Sequence, residues 1–177
     1  MSRSPSASDP GPGPARSLGR EAALRAVLWL ALGSWIGAWG FFAFVVSRIA
    51  FQVLPGDVAG NLAGVLLRVL HLGGAAAALA AAVALIGLGR RGAIVAVPIA
   101  LALICLGSEW ILSPEVAALR PSTLGPANTE ETQARFRVLH GLSLGLFMVV
   151  HLASVALLGR VAWLEARDRE PAASHGR

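Results

Sequence analysis

LHGLSLGLFMVVHL, residues 139–152, is the centre of an uncharged run of 22 residues between Arg137 and Arg160. A run of that length reaches about 33 Å as a helix, enough to cross the roughly 30 Å hydrocarbon layer of a bilayer. Lipid offers no partners to backbone N–H and C=O groups, so such a run must satisfy them internally as a helix. The same stretch carries His140 and His151. Eleven positions return nearly to the starting angle of a helix, which predicts that both imidazoles share one face, roughly 16 Å apart along the axis. Polar groups at this depth turn toward a bundle interior, so the face through His140, Leu144, Phe147, His151 and Ser154 is expected to point inward.

Working outward, three more runs are bounded by charges. Arg25 to Arg48 encloses 22 uncharged residues, Arg68 to Arg90 encloses 21, and Arg91 to Glu109 encloses 17. The expected fold is therefore all-α, a bundle of four transmembrane helices at about 26–47, 62–88, 92–112 and 130–165. Residues 1–22, rich in Ser, Pro and Gly, read as a disordered tail. The membrane domain is expected over 23–168, with a second disordered tail at 169–177. Gly33, Gly37 and Gly40 form a small-xxx-small ridge for close helix approach, and Gly141 with Gly145 repeats the pattern on the last helix. A helix-mediated homo-oligomer is one expectation. The Gly/Ala run 73–83 should pack against protein, and Trp35 and Trp39 should lie between helices. Asn128 followed by Glu131 reads as a capping box that starts the last helix near Thr129.

Composition agrees. The chain is 55% hydrophobic and 14% charged, with a mean hydropathy of +0.66. The net charge of +5 comes entirely from arginine, and in a membrane chain this reads as charge retained on the cytoplasmic side, not as a nucleic-acid surface. Ten of the 15 arginines fall on the side of both termini, which predicts cytoplasmic termini. Abundant Arg, Ala and Gly without lysine suggests a GC-rich bacterial genome, hence the inner membrane of a bacterium, with the lipid bilayer as principal partner. Cys105, the single cysteine, excludes an intrachain disulfide and reads as a small buried hydrophobe.

The polar groups inside these runs are the candidates for function. Arg68-Val69-Leu70-His71 is matched by Arg137-Val138-Leu139-His140, and both spans end in Gly-Arg. This suits a parallel repeat of two helical hairpins, with His71, His140 and Glu109 at similar depth. One reading has Arg68, Arg137 and Glu109 snorkelling or pairing at the outer boundary. The sharper one gathers Arg68, His71, Glu109, His140 and Ser143 into a polar outer-leaflet pocket for a small ligand or partner, in a non-enzymatic protein. Its alternative is a redox protein holding haem b or a metal ion through His71 and His140. Ser143 follows His140 by three residues, but no neighbouring carboxylate orients a triad. Phosphate-cradling loops, Cys-x-x-Cys and His-Glu-x-x-His are all missing from the sequence.

His140-Gly141-Leu142-Ser143, the segment Pro114 to Leu119-Arg120, and Gly40-Phe41-Phe42-Ala43-Phe44 together resemble the transmembrane-205-like family, domain of unknown function 4149. The resemblance spans about Arg25 to Trp163 and implies a four-helix integral membrane protein without an assigned reaction. It makes His140, Gly141, Ser143, Pro114 and Arg120 the family's motif residues here. The layout is also remotely similar to the copper-resistance D and membrane protoporphyrinogen-oxidase families, where helix histidines serve haem or metal.

The orientation is checked by labelling. A Leu124→Cys variant should react with a membrane-impermeant maleimide added from outside; reaction from the cytoplasmic side alone would invert the topology.

Overall fold

The computed structural model describes residues 14–119 and 129–169. Four helices long and apolar enough to cross a membrane account for nearly all of them. The first, α1, runs Pro14–Phe41, passes through a π-helical turn Phe42–Val46 and ends in Ser47–Val53. The second, α2, covers Gly56–Gly87. The third, α3, runs Ala93–Gly107, through a second π turn Ser108–Leu112, to Ser113–Ala118. The last, α4, covers Glu130–Arg169. The protein is thus a multi-pass membrane protein of four helices.

The helices outrun the charge-bounded spans. α1 starts at Pro14, inside the stretch expected to be a tail, and reaches Val53; α2 starts at Gly56, ahead of the expected 62. Charges limit the hydrocarbon-buried segment, whereas a helix continues into the headgroup region wherever its residues favour it. Glu21 and Arg25 supply such support as an i,i+4 pair at 2.6 Å. The corner between α1 and α2 is only Leu54 and Pro55, with Leu54 extended, as a residue before proline should be. Residues 1–13, 120–128 and 170–177 lie outside the described residues, and with them Arg120, Asn128 and His175. The observed cap of α4 is Thr129, whose Oγ1 accepts from the Thr132 N–H at 3.2 Å.

The α2–α3 turn is built by glycine. Gly89 adopts φ 76°, and the N–H groups of Gly89 and Arg90 donate to the carbonyls of Ile86 and Leu85 at 2.9 Å. This is a Schellman stop, which needs the left-handed conformation that glycine enters freely. Arg90 and Arg91 follow directly.

Around the bundle, α2 packs on α1 and α3, and α4 packs on α3 and α1. Hence α4 stands diagonally across from α2. The core is Leu28, Leu32, Trp35 and Trp39 of α1 against the alanine face of α2, with Leu101 and Cys105 of α3 and Phe147, Val150 and Leu157 of α4. Cys105 is a fully buried small hydrophobe. Large apolar side chains such as Leu30, Val69, Leu103 and Leu152 point outward, a surface that matches lipid.

Gly74 is where the Gly/Ala run matters most. A Cβ there would lie 2.7 Å from Trp35 Nε1 and 3.3 Å from Trp39 Nε1. The bare backbone admits both indoles, Trp35 most closely, and Trp39 Nε1–H donates to the Leu70 carbonyl at 3.2 Å. By contrast, Gly33, Gly37, Gly141 and Gly145 meet nothing within 4 Å. Among the described residues only Gly40 of these ridges packs on another helix, where a Cβ would lie 3.7 Å from the His151 ring.

The α4 stripe also differs from the expected face. Partly or fully buried positions recur every seven residues: Phe136, Ser143, Val150, Leu157 and Leu164, flanked by Phe147, Ser154 and Val161. A seven-residue period is that of left-handed supercoiled packing. The eleven-residue step relates His140 to His151 but not to this stripe, so His140 and Leu144 stand exposed beside it and His151 at its edge.

Substitution at two adjacent glycines tests this packing. Gly74→Ala should lower stability by about 1–3 kcal/mol by overpacking. Gly73→Ala, with nothing within 4 Å, should be neutral or gain about 0.5–1 kcal/mol. Unfolding in mixed micelles measures both, and equal effects would contradict the close approach at Gly74.

Candidate functional site

Three of the expected site residues meet. Arg68 and His71 stand one turn apart on α2, and Glu109 lies on the facing π turn of α3. Glu109 Oε2 is 3.3 Å from His71 Nδ1, and Oε1 is 3.6 Å from Arg68 Nε. The carboxylate and the imidazole Nδ1 are thus within hydrogen-bond distance of each other. The His71 and Glu109 side chains are 5% and 11% exposed, whereas that of Arg68 is 71% exposed. Glu109 therefore anchors a buried imidazole on one side and a surface guanidinium on the other.

The π turn is part of this geometry. Its i→i+5 bonds wind an extra residue into one turn and re-aim the side chains there. Ser108 and Leu112 are buried, and Glu109 is carried to His71. Behind His71 lies Trp39, ring centroids 5.9 Å apart, and Trp39 stacks on Phe147 of α4 at 4.4 Å. His71 is thus closed off by aromatic rings on its inner side.

His140 and Ser143 do not join this group. His140 is exposed and stacks on Phe136 of its own helix, centroids 5.4 Å apart, 9° between planes. Among the described residues it has no hydrogen-bond or ion-pair partner. Ser143 is half-buried on the α4 stripe. The two histidines of the matched tetrapeptides consequently have opposite environments, and His140 and Glu109 do not meet. Of the expected boundary cluster, Arg68 pairs with Glu109 while Arg137 does not. The next pair out is Arg135 with Glu115 at 3.2 Å. Pro114 opens the last segment of α3, and Gly141 is exposed on α4.

His151 is half-buried against α1. Ser154 donates its hydroxyl to the His151 backbone carbonyl at 2.7 Å, not to the ring. The His151 Nδ1 is buried without a hydrogen-bond partner, beside Gly40. Among the described residues no three His, Cys, Asp or Glu side chains gather as a metal-binding group.

A second polar group sits at the other end of the bundle and was not singled out from the sequence. In the sequence the spacing of Glu165 to Arg169 reads only as a solvated i,i+4 pair. That contact exists at 3.7 Å, but Glu165 is only 9% exposed. Its Oε2 accepts from Trp29 Nε1–H at 3.3 Å, while Oε1 is buried without a partner. Nearby, Arg90 pairs with Asp168. The only hint in the sequence was that Glu165 continues the seven-residue series from His151 and Leu158.

Removing partners from the Glu109 cluster should have unequal effects. Glu109→Ala leaves His71 buried without its acceptor, at about 1–3 kcal/mol. Arg68→Ala removes only an exposed pair, worth about 0–1 kcal/mol. Denaturation of the two variants in detergent checks the order; a larger loss for Arg68→Ala would place the anchoring interaction elsewhere.

A family model described as Domain of unknown function (DUF4149) matches residues 30–122. No curated protein and no solved structure matches the chain. The matched segment contains Gly40 to Phe44 and Pro114 to Arg120, together with the Arg68, His71 and Glu109 cluster, and ends before His140-Gly141-Leu142-Ser143. With more than half of its residues matched, covering most of the first three membrane helices, this chain belongs to the DUF4149 family.

Proposed function

We propose that this protein is a small, non-enzymatic component of a bacterial inner membrane, with both termini in the cytoplasm, that binds a small polar ligand or partner at Arg68, His71 and Glu109. The carrying observation is the Glu109 carboxylate at 11% exposure between His71 and Arg68. Ionisable groups within membrane helices are expensive to keep, and they tend to mark sites rather than scaffolding. A π turn at the same place strengthens the reading, because such turns recur at functional positions. His71 and Glu109 form the closed back of the site. The exposed Arg68 guanidinium is left at the rim, where it can meet an acceptor group of the ligand.

His140 and Ser143 fall outside this site, which is smaller than the sequence alone suggested. The haem or metal reading is the weaker one for the same reason. It needs His71 and His140 on one ligand, and these lie on diagonal helices with His140 on the exposed side.

Thermal unfolding of the purified protein against small carboxylates, phosphates, ammonium compounds and divalent metal salts tests the proposal. At least one should raise the Tm of the wild-type protein while leaving Glu109→Gln unmoved. If none does, or if the variant responds equally, the site is structural only. An absorption spectrum should show no Soret band; a band lost in His71→Ala would replace this reading by the redox one.

A further inference from the structure

At the end of the bundle where α1 begins and α4 ends, Glu165 lines a cleft of about 210 Å³ between α1, α4 and the α2–α3 turn. The carboxylates lining it are Glu21, Glu165 and Asp168, and the guanidiniums are Arg25 and Arg90. Glu21 and Arg25 pair with each other, as do Asp168 and Arg90. Glu165 is left over: Trp29 and the exposed Arg169 engage its Oε2, and Oε1 remains buried without a hydrogen bond. Glu165 lines the cleft while its buried Oε1 lacks a donor, and a charged N–H donor is the strongest that can fill it. Glu165 also lies one turn from the C-terminus of α4, where the helix itself favours positive charge.

A second, larger groove of about 730 Å³ opens from the same place along the outer side of α3 and α4. Arg90, Ile94 and Leu164 line both spaces. Val97, Ala153 and Leu157 make the groove apolar, and Arg91 and Arg160 line it as well. Among the described residues neither of these arginines has a carboxylate partner. Arg160 rests on the Trp163 ring, 4.3 Å from its centroid. Trp29 and Trp163 are both partly exposed, and tryptophans of this kind mark the headgroup level of a bilayer.

We propose that this cleft and groove form a binding site for a phospholipid with a primary-ammonium headgroup. The ammonium donates to Glu165 Oε1, the phosphate accepts from Arg91 and Arg160, and one acyl chain lies along the groove past Val97 and Leu157. A soluble amine would use only the first contact, which is why the groove and the unpaired arginines favour a lipid. The site is separate from Arg68, His71 and Glu109, and its test does not depend on that reading.

Native mass spectrometry of the full chain in detergent, titrated with phosphatidylethanolamine, its N-methyl and N,N-dimethyl derivatives and phosphatidylcholine, measures it. Retention should fall along this series, by about tenfold or more from first to last, because the trimethylated ammonium has no N–H to donate. Glu165→Gln should abolish the preference, whereas Glu115→Gln, at the opposite end, should keep it. The series on the wild-type protein stands even if Glu165→Gln folds poorly. Equal retention of all four lipids, a preference that survives Glu165→Gln, or no retention at all (a cleft holding water only) would each overturn the proposal. Displacement of the lipid by free ethanolamine at comparable concentration would assign the site to a soluble amine and overturn it as a lipid site.

Discussion

The Trp39 indole is the contact on which the bundle depends. It donates to the Leu70 carbonyl of α2, stacks on Phe147 of α4 and meets Trp35 edge-on. One side chain of α1 thereby ties together the two helices that stand diagonally opposite. Helix association in lipid has no hydrophobic driving force of its own and relies on close packing and interhelical hydrogen bonds. Trp39 supplies both, beside the bare backbone of Gly74, where a Cβ would lie 3.3 Å from its Nε1 and closer still to Trp35.

That arrangement also defines what His71 can do. Trp39 covers its inner side, and Glu109 holds its Nδ1 from α3. An imidazole closed in this way is oriented by its neighbours, so the group free to meet anything from outside is the Arg68 guanidinium. The polar cluster is therefore directional: buried at its back through α2 and α3, and open only along the surface of α2.

The two ends of the protein solve the charge problem differently. At the corner end, charged groups pair across exposed helix surface, as Arg135 does with Glu115. At the end where α1 begins and α4 ends, they line a cleft and leave one carboxylate oxygen unsatisfied. The glycine turn before Arg90 contributes here, since it stops α2 abruptly and delivers Arg90 to Asp168 and Arg91 to the outer groove.

The number of helices, their membrane character, the burial of Trp35 and Trp39 and the role of the Gly/Ala run were determined by sequence alone. Lipid permits little else for runs of some twenty apolar residues, and alanine faces pack on protein. The candidate trio Arg68, His71 and Glu109 was legible as polar groups in apolar runs. What it would exclude was not. The fate of His140 rested on the helix period: eleven-residue spacing aligns it with His151, but the packed stripe advances by sevens and leaves it outside. The π turns were equally hidden, because an extra residue wound into one turn leaves the apolar pattern almost unchanged while it redirects Glu109. Glu165 read as solvated for lack of any sign that Trp29, 136 residues away in the chain, would cover it. Burial of that kind is a property of neighbours, and only the tertiary structure chooses them.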